Sequence, residues 1–84
     1  MRIWVYIFMD KKDDFVIGLT PISDNSESIF LVNLQVIYLR PFKIVFDAIA
    51  HKHLLDSLSK KTVSEWIDKH KKETHTWLQI CSNH

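Results

Sequence analysis

Eighty-four residues allow one domain at most, residues 1–84, near the lower end of what folds without staples. A hydrophobic share of 46%, with three Trp and five Phe, supplies a real core, and one Gly with two Pro argues against a linker or disordered tail. A formal charge of +1 excludes a strongly basic DNA-binding domain, and a single Cys excludes an internal disulfide and a multi-thiolate zinc site.

Ile3 to Phe8 is rich in β-branched and aromatic residues, as a half-buried strand should be. Asp10 to Asp14 is a charged run of hairpin length without an Asn-Gly or Asp-Gly pair, which predicts a loop longer than a tight primed turn. Phe15 to Thr20 is the returning strand, and Pro21, which cannot donate to a ladder, is expected to end it. Ser23 to Ser28 is polar and reads as a loop. The apolar stretch from Ile29 to Leu39 predicts a third strand, with Pro41 as punctuation.

From Ile44 the period changes. Phe46, Ile49, Ala50, His53, Leu54 and Ser57 fall at helical spacing, which predicts a helix with that face buried. On this reading His53 lies in the core or at its boundary and His51 faces solvent. Ser59 is the expected N-cap of a second helix, with Val63, Trp66, Ile67 and His70 on its apolar face. Thr74 to His84, with Trp77, Leu78 and Ile80, predicts a further short packed element. The fold class is α+β, a small three-stranded antiparallel sheet packed with two to three helices.

Two triplets, Trp4-Val5-Tyr6 and Val16-Ile17-Gly18, with Thr20 following, resemble the signature strands of the GIY-YIG nuclease superfamily. Gln35 to Phe42 resembles that family's third strand, Phe46 to Leu55 its following helix, and Leu58-Ser59 its junction into another helix. The resemblance covers about residues 3–20 and 35–70. It implies a GIY-YIG-like fold. In the family, two Tyr, an Arg and a metal-binding Glu carry a divalent-metal-dependent phosphodiester hydrolysis. A hard cation needs a carboxylate, and a cation with a guanidinium stabilises charge in phosphoryl displacement.

Carried over residue by residue, Tyr6 alone keeps its identity, as the one catalytic candidate. Val16 stands where the second Tyr belongs, and Ile22 to Ser28 holds no basic residue for the Arg. The interval after Thr20 is too short for the family's first helix. Lys52 falls at the Glu position, where it would repel a cation, and no Glu lies between Ser28 and Glu65. The resemblance thus implies a degenerate site with no cofactor. Mg²⁺ or Mn²⁺ would be needed only if the domain acts as a nuclease through Tyr6 and displaced acids such as Asp47.

Other constellations are weaker. His51 and His53 lie two apart on a helix and point about 200° apart, so they do not chelate one ion. Cys81, His75 and His84 match no metal or nucleophile spacing, and no metal site is predicted. Arg40, Lys43, Lys52, Lys60 and Lys61 are the candidate nucleic-acid contacts. The lysines from Lys60 to Lys72 also interleave with acids, as a solvated helix face does.

The functional expectation leans to a binding or assembly module without hydrolytic activity, with DNA or protein as partner. An active GIY-YIG-type endonuclease and an unrelated small α+β interaction protein are the alternatives. A homodimer through the sheet face or the strand at residues 30–39 would cover an apolar edge. The lone Cys81 fits a reducing compartment, no apolar run has spanning length, and the start lacks a signal-peptide block. These predict a soluble cytoplasmic protein without a membrane partner.

Overall fold

The structure, a computed structural model, describes residues 2–22 and 34–82. Strand β1 (Arg2–Met9) forms a hairpin with β2 (Phe15–Ile22), and β3 (Tyr38–Phe42) pairs on the other side of β1. All pairing is antiparallel, in the order β2-β1-β3. Helices α1 (Val45–Ser57), α2 (Lys60–Lys69) and α3 (Lys71–Ser82) follow. This is the expected α+β class: a three-stranded antiparallel sheet with three helices.

The hairpin loop closes through its own acids. Asp10 Oδ1 accepts from Lys12 N at 2.8 Å and from Asp14 N at 3.0 Å, an Asx-type turn. Asp13 then takes φ 61°, the left-handed region that a short polar side chain tolerates best after glycine. The five-residue connection from Asp10 to Asp14 is longer than a primed turn, as its composition predicts.

Alternation along β1 creates two cores. Val5 and Ile7 face Ala48 and Leu55 of α1, Val63 and Ile67 of α2, and Tyr38 of β3. Trp4 faces the other way, with Leu39, Val36 and the α3 residues Trp77 and Leu78. The sheet is therefore covered on one face by α1 and α2 and on the other by α3. Trp77 meets Trp4 edge-to-face at 5.4 Å, a favoured aromatic geometry.

Two expectations about proline fail for one reason. β2 runs through Pro21, which pairs with Ile3, and β3 contains Pro41, which pairs with Trp4. Both belong to edge strands. Leu39 N–H points away from β1, toward Thr74 Oγ1 at 3.3 Å, and alternate residues of a strand point the same way. Pro41 thus lacks a donor only where the ladder needs none.

The third strand is also shorter than predicted. It begins at Tyr38, Leu34 and Gln35 form a turn with Gln35 at φ 56°, and Ile29 to Asn33 lie outside the described residues. The polar loop expected at Ser23 to Ser28 lies outside them as well.

The largest correction concerns α1. Ala48 and Leu55 are buried and His51 and Lys52 half-buried, a stripe at i, i+3, i+4, i+7. The predicted face, Phe46 to Ser57, is the exposed one. Helical periodicity was read correctly and its direction was reversed, because only Lys43 and Ile44 join β3 to α1, and so short a connection sets the rotation of the helix.

By contrast α2 matches expectation. Ser59 Oγ accepts from Thr62 N at 3.2 Å as N-cap, and Val63 and Ile67 are buried.

Candidate functional site

Tyr6 pairs with Gly18 on β2 and Leu39 on β3, and it shares the α3-side face of the sheet with Trp4. Its ring stacks on Phe8 at 6.2 Å and lies over Gly18. A Cβ on Gly18 would collide with Tyr6 Cζ and Oη. The only glycine in the chain therefore makes room for this ring. That is a packing reason for the Val-Ile-Gly triplet, independent of any catalytic use.

Arg40 lies on the opposite face. In β3 it alternates with Leu39 and shares its side with Tyr38 and Phe42, and its guanidinium sits over the Phe42 ring at 5.4 Å. Lys52 is on α1, which covers that same face, and bonds Asp56 at 2.8 Å. The sheet thus separates Tyr6 from Arg40 and Lys52. Lys43 is exposed in the β3–α1 connection, and Lys60 and Lys61 are exposed in the first turn of α2. Among the described residues no three His, Cys, Asp or Glu side chains are grouped as metal ligands would be.

A different group of polar and aromatic side chains does converge. Tyr38, 1% exposed, places its hydroxyl 2.8 Å from His51 Nε2. The His51 ring packs against Phe42 at 5.2 Å and Trp66 at 5.8 Å, and Trp66 meets His70 at 4.3 Å. His70 Nδ1 donates to the Trp66 carbonyl at 2.9 Å.

Burial pushes the Tyr38 phenol up, with the nearby Trp66 and Arg40 acting the other way. Burial pulls His51 down, aided by the positive charge of Arg40 and by His70. Both shifts favour neutral partners, and the His51 tautomer sets which of the two donates in their hydrogen bond. The Trp66 indole N–H is buried beside the Tyr38 phenol.

This cluster ties β3, α1 and α2 together, with Tyr38 closed to solvent and His51, Trp66 and His70 half-buried around it. Sequence reasoning had His51 outside and His53 inside, and His53 is exposed. The available signal was the four-residue interval from His51 to Leu55, which matches the buried stripe once the helix is turned over.

The outward side of α1 is the remaining feature. Phe46 is 79% exposed and Leu54 49%, with Ile49 beside them and Ile44 and Val45 at the helix start. They form an apolar stripe at helical spacing that faces out.

No family model, curated protein or solved structure matches this chain. The GIY-YIG resemblance therefore rests on its own residues, Tyr6, Gly18 and the strands that hold them. No described helix is long and apolar enough to cross a membrane.

Proposed function

We propose that this chain is a binding and assembly module that performs no hydrolysis, a GIY-YIG-like domain without the nuclease's working parts. The observation that carries this reading is the outward stripe of α1, centred on Phe46, Ala50 and Leu54. A helix that already buries Ala48 and Leu55 has no folding use for a second apolar side. Large exposed apolar side chains gain only by meeting a partner.

Hydrolysis is disfavoured on chemical grounds. A metal-assisted displacement needs carboxylates, a water-activating group and a cationic clamp at one place. Tyr6 and Arg40 occupy opposite faces of the sheet, and Lys52 is committed to Asp56. Arg40, Lys43, Lys60 and Lys61 are exposed and suit weak, salt-sensitive phosphate contacts. DNA is accordingly the secondary partner of this module and protein the primary one. The reducing cytoplasm is its compartment on the strength of the lone Cys81.

The test is fluorescence anisotropy with labelled duplex, single-stranded and branched DNA in Mg²⁺ or Mn²⁺, with strand cleavage read on the same samples. No cleavage is expected, with at most weak binding that added salt removes. Metal-dependent cleavage that Tyr6→Phe abolishes would overturn the proposal.

A further inference from the structure

We propose that the Tyr38–His51–Trp66–His70 cluster is an acid-sensitive latch: protonating His51 lets α2 swing out from β3 and α1 while the sheet and the other two helices stay folded. The inference goes beyond the module reading and does not depend on it.

Helix α2 has 10 residues and buries only Val63 and Ile67. The rest of its inward side is Trp66 and, at the C-cap, His70, both half-buried. Its hold on the body therefore runs in large part through the cluster. Extended backbone at Leu58 and Ser59 joins it to α1, and His70 alone separates it from α3. Element ends of this kind are where a helix turns as a unit. The neighbouring helices have anchors of their own: α3 sets Trp77 against Trp4 and Thr74 against Leu39, and α1 buries Ala48 and Leu55.

In the closed position His51 is a wedge. Projecting from α1, its Nε2 lies 2.8 Å from the Tyr38 hydroxyl of β3, and its ring packs at 5.2 Å from Phe42 and 5.8 Å from Trp66 of α2. Trp66 in turn lies 4.3 Å from His70, which meets the Tyr38 ring edge-on at 6.1 Å. Swinging α2 out removes the Trp66 wall and brings His51 to water, where a charged imidazole is solvated. The open form thus tolerates the proton that the closed form resists, and acid shifts the population toward it.

The surrounding charges act in the same sense. Arg40 from β3 and His70 from α2 both oppose a positive charge on His51. The β1 and β2 residues on this face, Ile3, Val5, Ile7, Ile17 and Leu19, carry no charge. The remaining charged residues of α2 are exposed. On α1 itself, Asp47 one turn earlier is exposed, and Lys52 is bonded to Asp56. Glu73 of α3 acts on Tyr38, where it helps keep the phenol protonated.

Burial, with Arg40 and His70, holds the folded His51 below the ordinary value of 6.5, so the closed form loses ground as pH falls from there. That ordinary value also fixes a ceiling. Between pH 7.5 and 5.5 the ratio of open to closed molecules grows by several-fold and by no more than about tenfold.

Native-state hydrogen exchange on the full chain, followed by NMR at both pH values in low urea, tests the latch. Protected amides of α2, such as Ile67, should be less protected than Val5 and Ile7 of β1. Their exchange should depend only weakly on urea, because the opening exposes little surface. After correction for intrinsic rates, their protection should fall by several-fold from pH 7.5 to 5.5. His51→Gln should remove that fall. Arg40→Gln, at an exposed site that leaves the fold intact, should shrink it and raise the pH at which His51 titrates.

Equal protection and equal urea dependence in α2 and β1 would overturn the latch, because α2 would then open only with the whole molecule. So would α2 exchange that ignores pH, or a fall that both variants retain in full.

Discussion

His51 shows how one side chain can serve as a structural joint. Its imidazole is hydrogen-bonded to a buried phenol and packed among Phe42 and Trp66, so protonating it would place a charge where burial removes its solvation. The folded pKa lies below the ordinary value of 6.5, so the unfolded chain binds the proton more readily. The stability contributed by neutral His51 is complete above pH 6.5 and falls as pH drops from there toward the lower folded value. Urea titrations at pH 7.5 and 5.5 should show a lower midpoint at the acidic pH, and His51→Gln should shrink the difference. An equal difference in the variant would place the titration elsewhere. Tyr38 acts at the other end of the pH scale: burial raises its pKa above the ordinary value of 10.0, so stability falls as pH rises beyond that value.

At the scale of elements, α1 sets its two sides against one another. Leu55 is 1% exposed in the main core, and its neighbour Leu54 is 49% exposed. Leu55→Ala should therefore cost about 2–5 kcal/mol in chemical denaturation, and Leu54→Ala no more than about 0.5 kcal/mol. Equal costs would mean that the helix is rotated from the position described. The contrast also separates folding from surface: Leu54→Ala is expected to leave the fold intact. Ser59 shows the opposite case, where a purely local rule held. Its hydroxyl oxygen caps α2 whatever the sheet does, since the free N–H groups of the first turn lie within three residues.

In the whole molecule, the chain wraps around the β3 edge of the sheet. α2 packs on one face and α3 on the other, and the turn at His70 carries the chain between them. Thr74 closes that edge: it is 4% exposed, and its Oγ1 accepts from Leu39 N. Thr74→Val keeps the shape and leaves the Leu39 amide without its acceptor. A loss of about 1–3 kcal/mol should follow, with faster hydrogen exchange at Leu39, while Thr74→Ser should restore most of it. Exchange at Leu39 unchanged by Thr74→Val would show that the edge is closed some other way. The same bond means that β3 does not present an open ladder at Leu39.

The hairpin of β1 and β2, its Asp10–Asp14 loop, the Ser59 cap and the buried stripe of α2 were legible in the sequence by itself. Each depends on residues that touch neighbours within a few positions, or on a stripe with only one apolar side. Among candidate site residues, the sequence determined the chemistry present at Tyr6, Arg40 and Lys52. Which of them stand together was a tertiary decision, because strand alternation and sheet order put Tyr6 on one face and Arg40 on the other. Pro41 within β3 likewise depended on which way its edge faced. The direction of α1 lay furthest from view. Periodicity gives the angles between side chains on a helix but not its rotation against the sheet, and where both sides are apolar the choice falls to the connection from β3 and to the fit of Ala48, His51 and Leu55 over the strands.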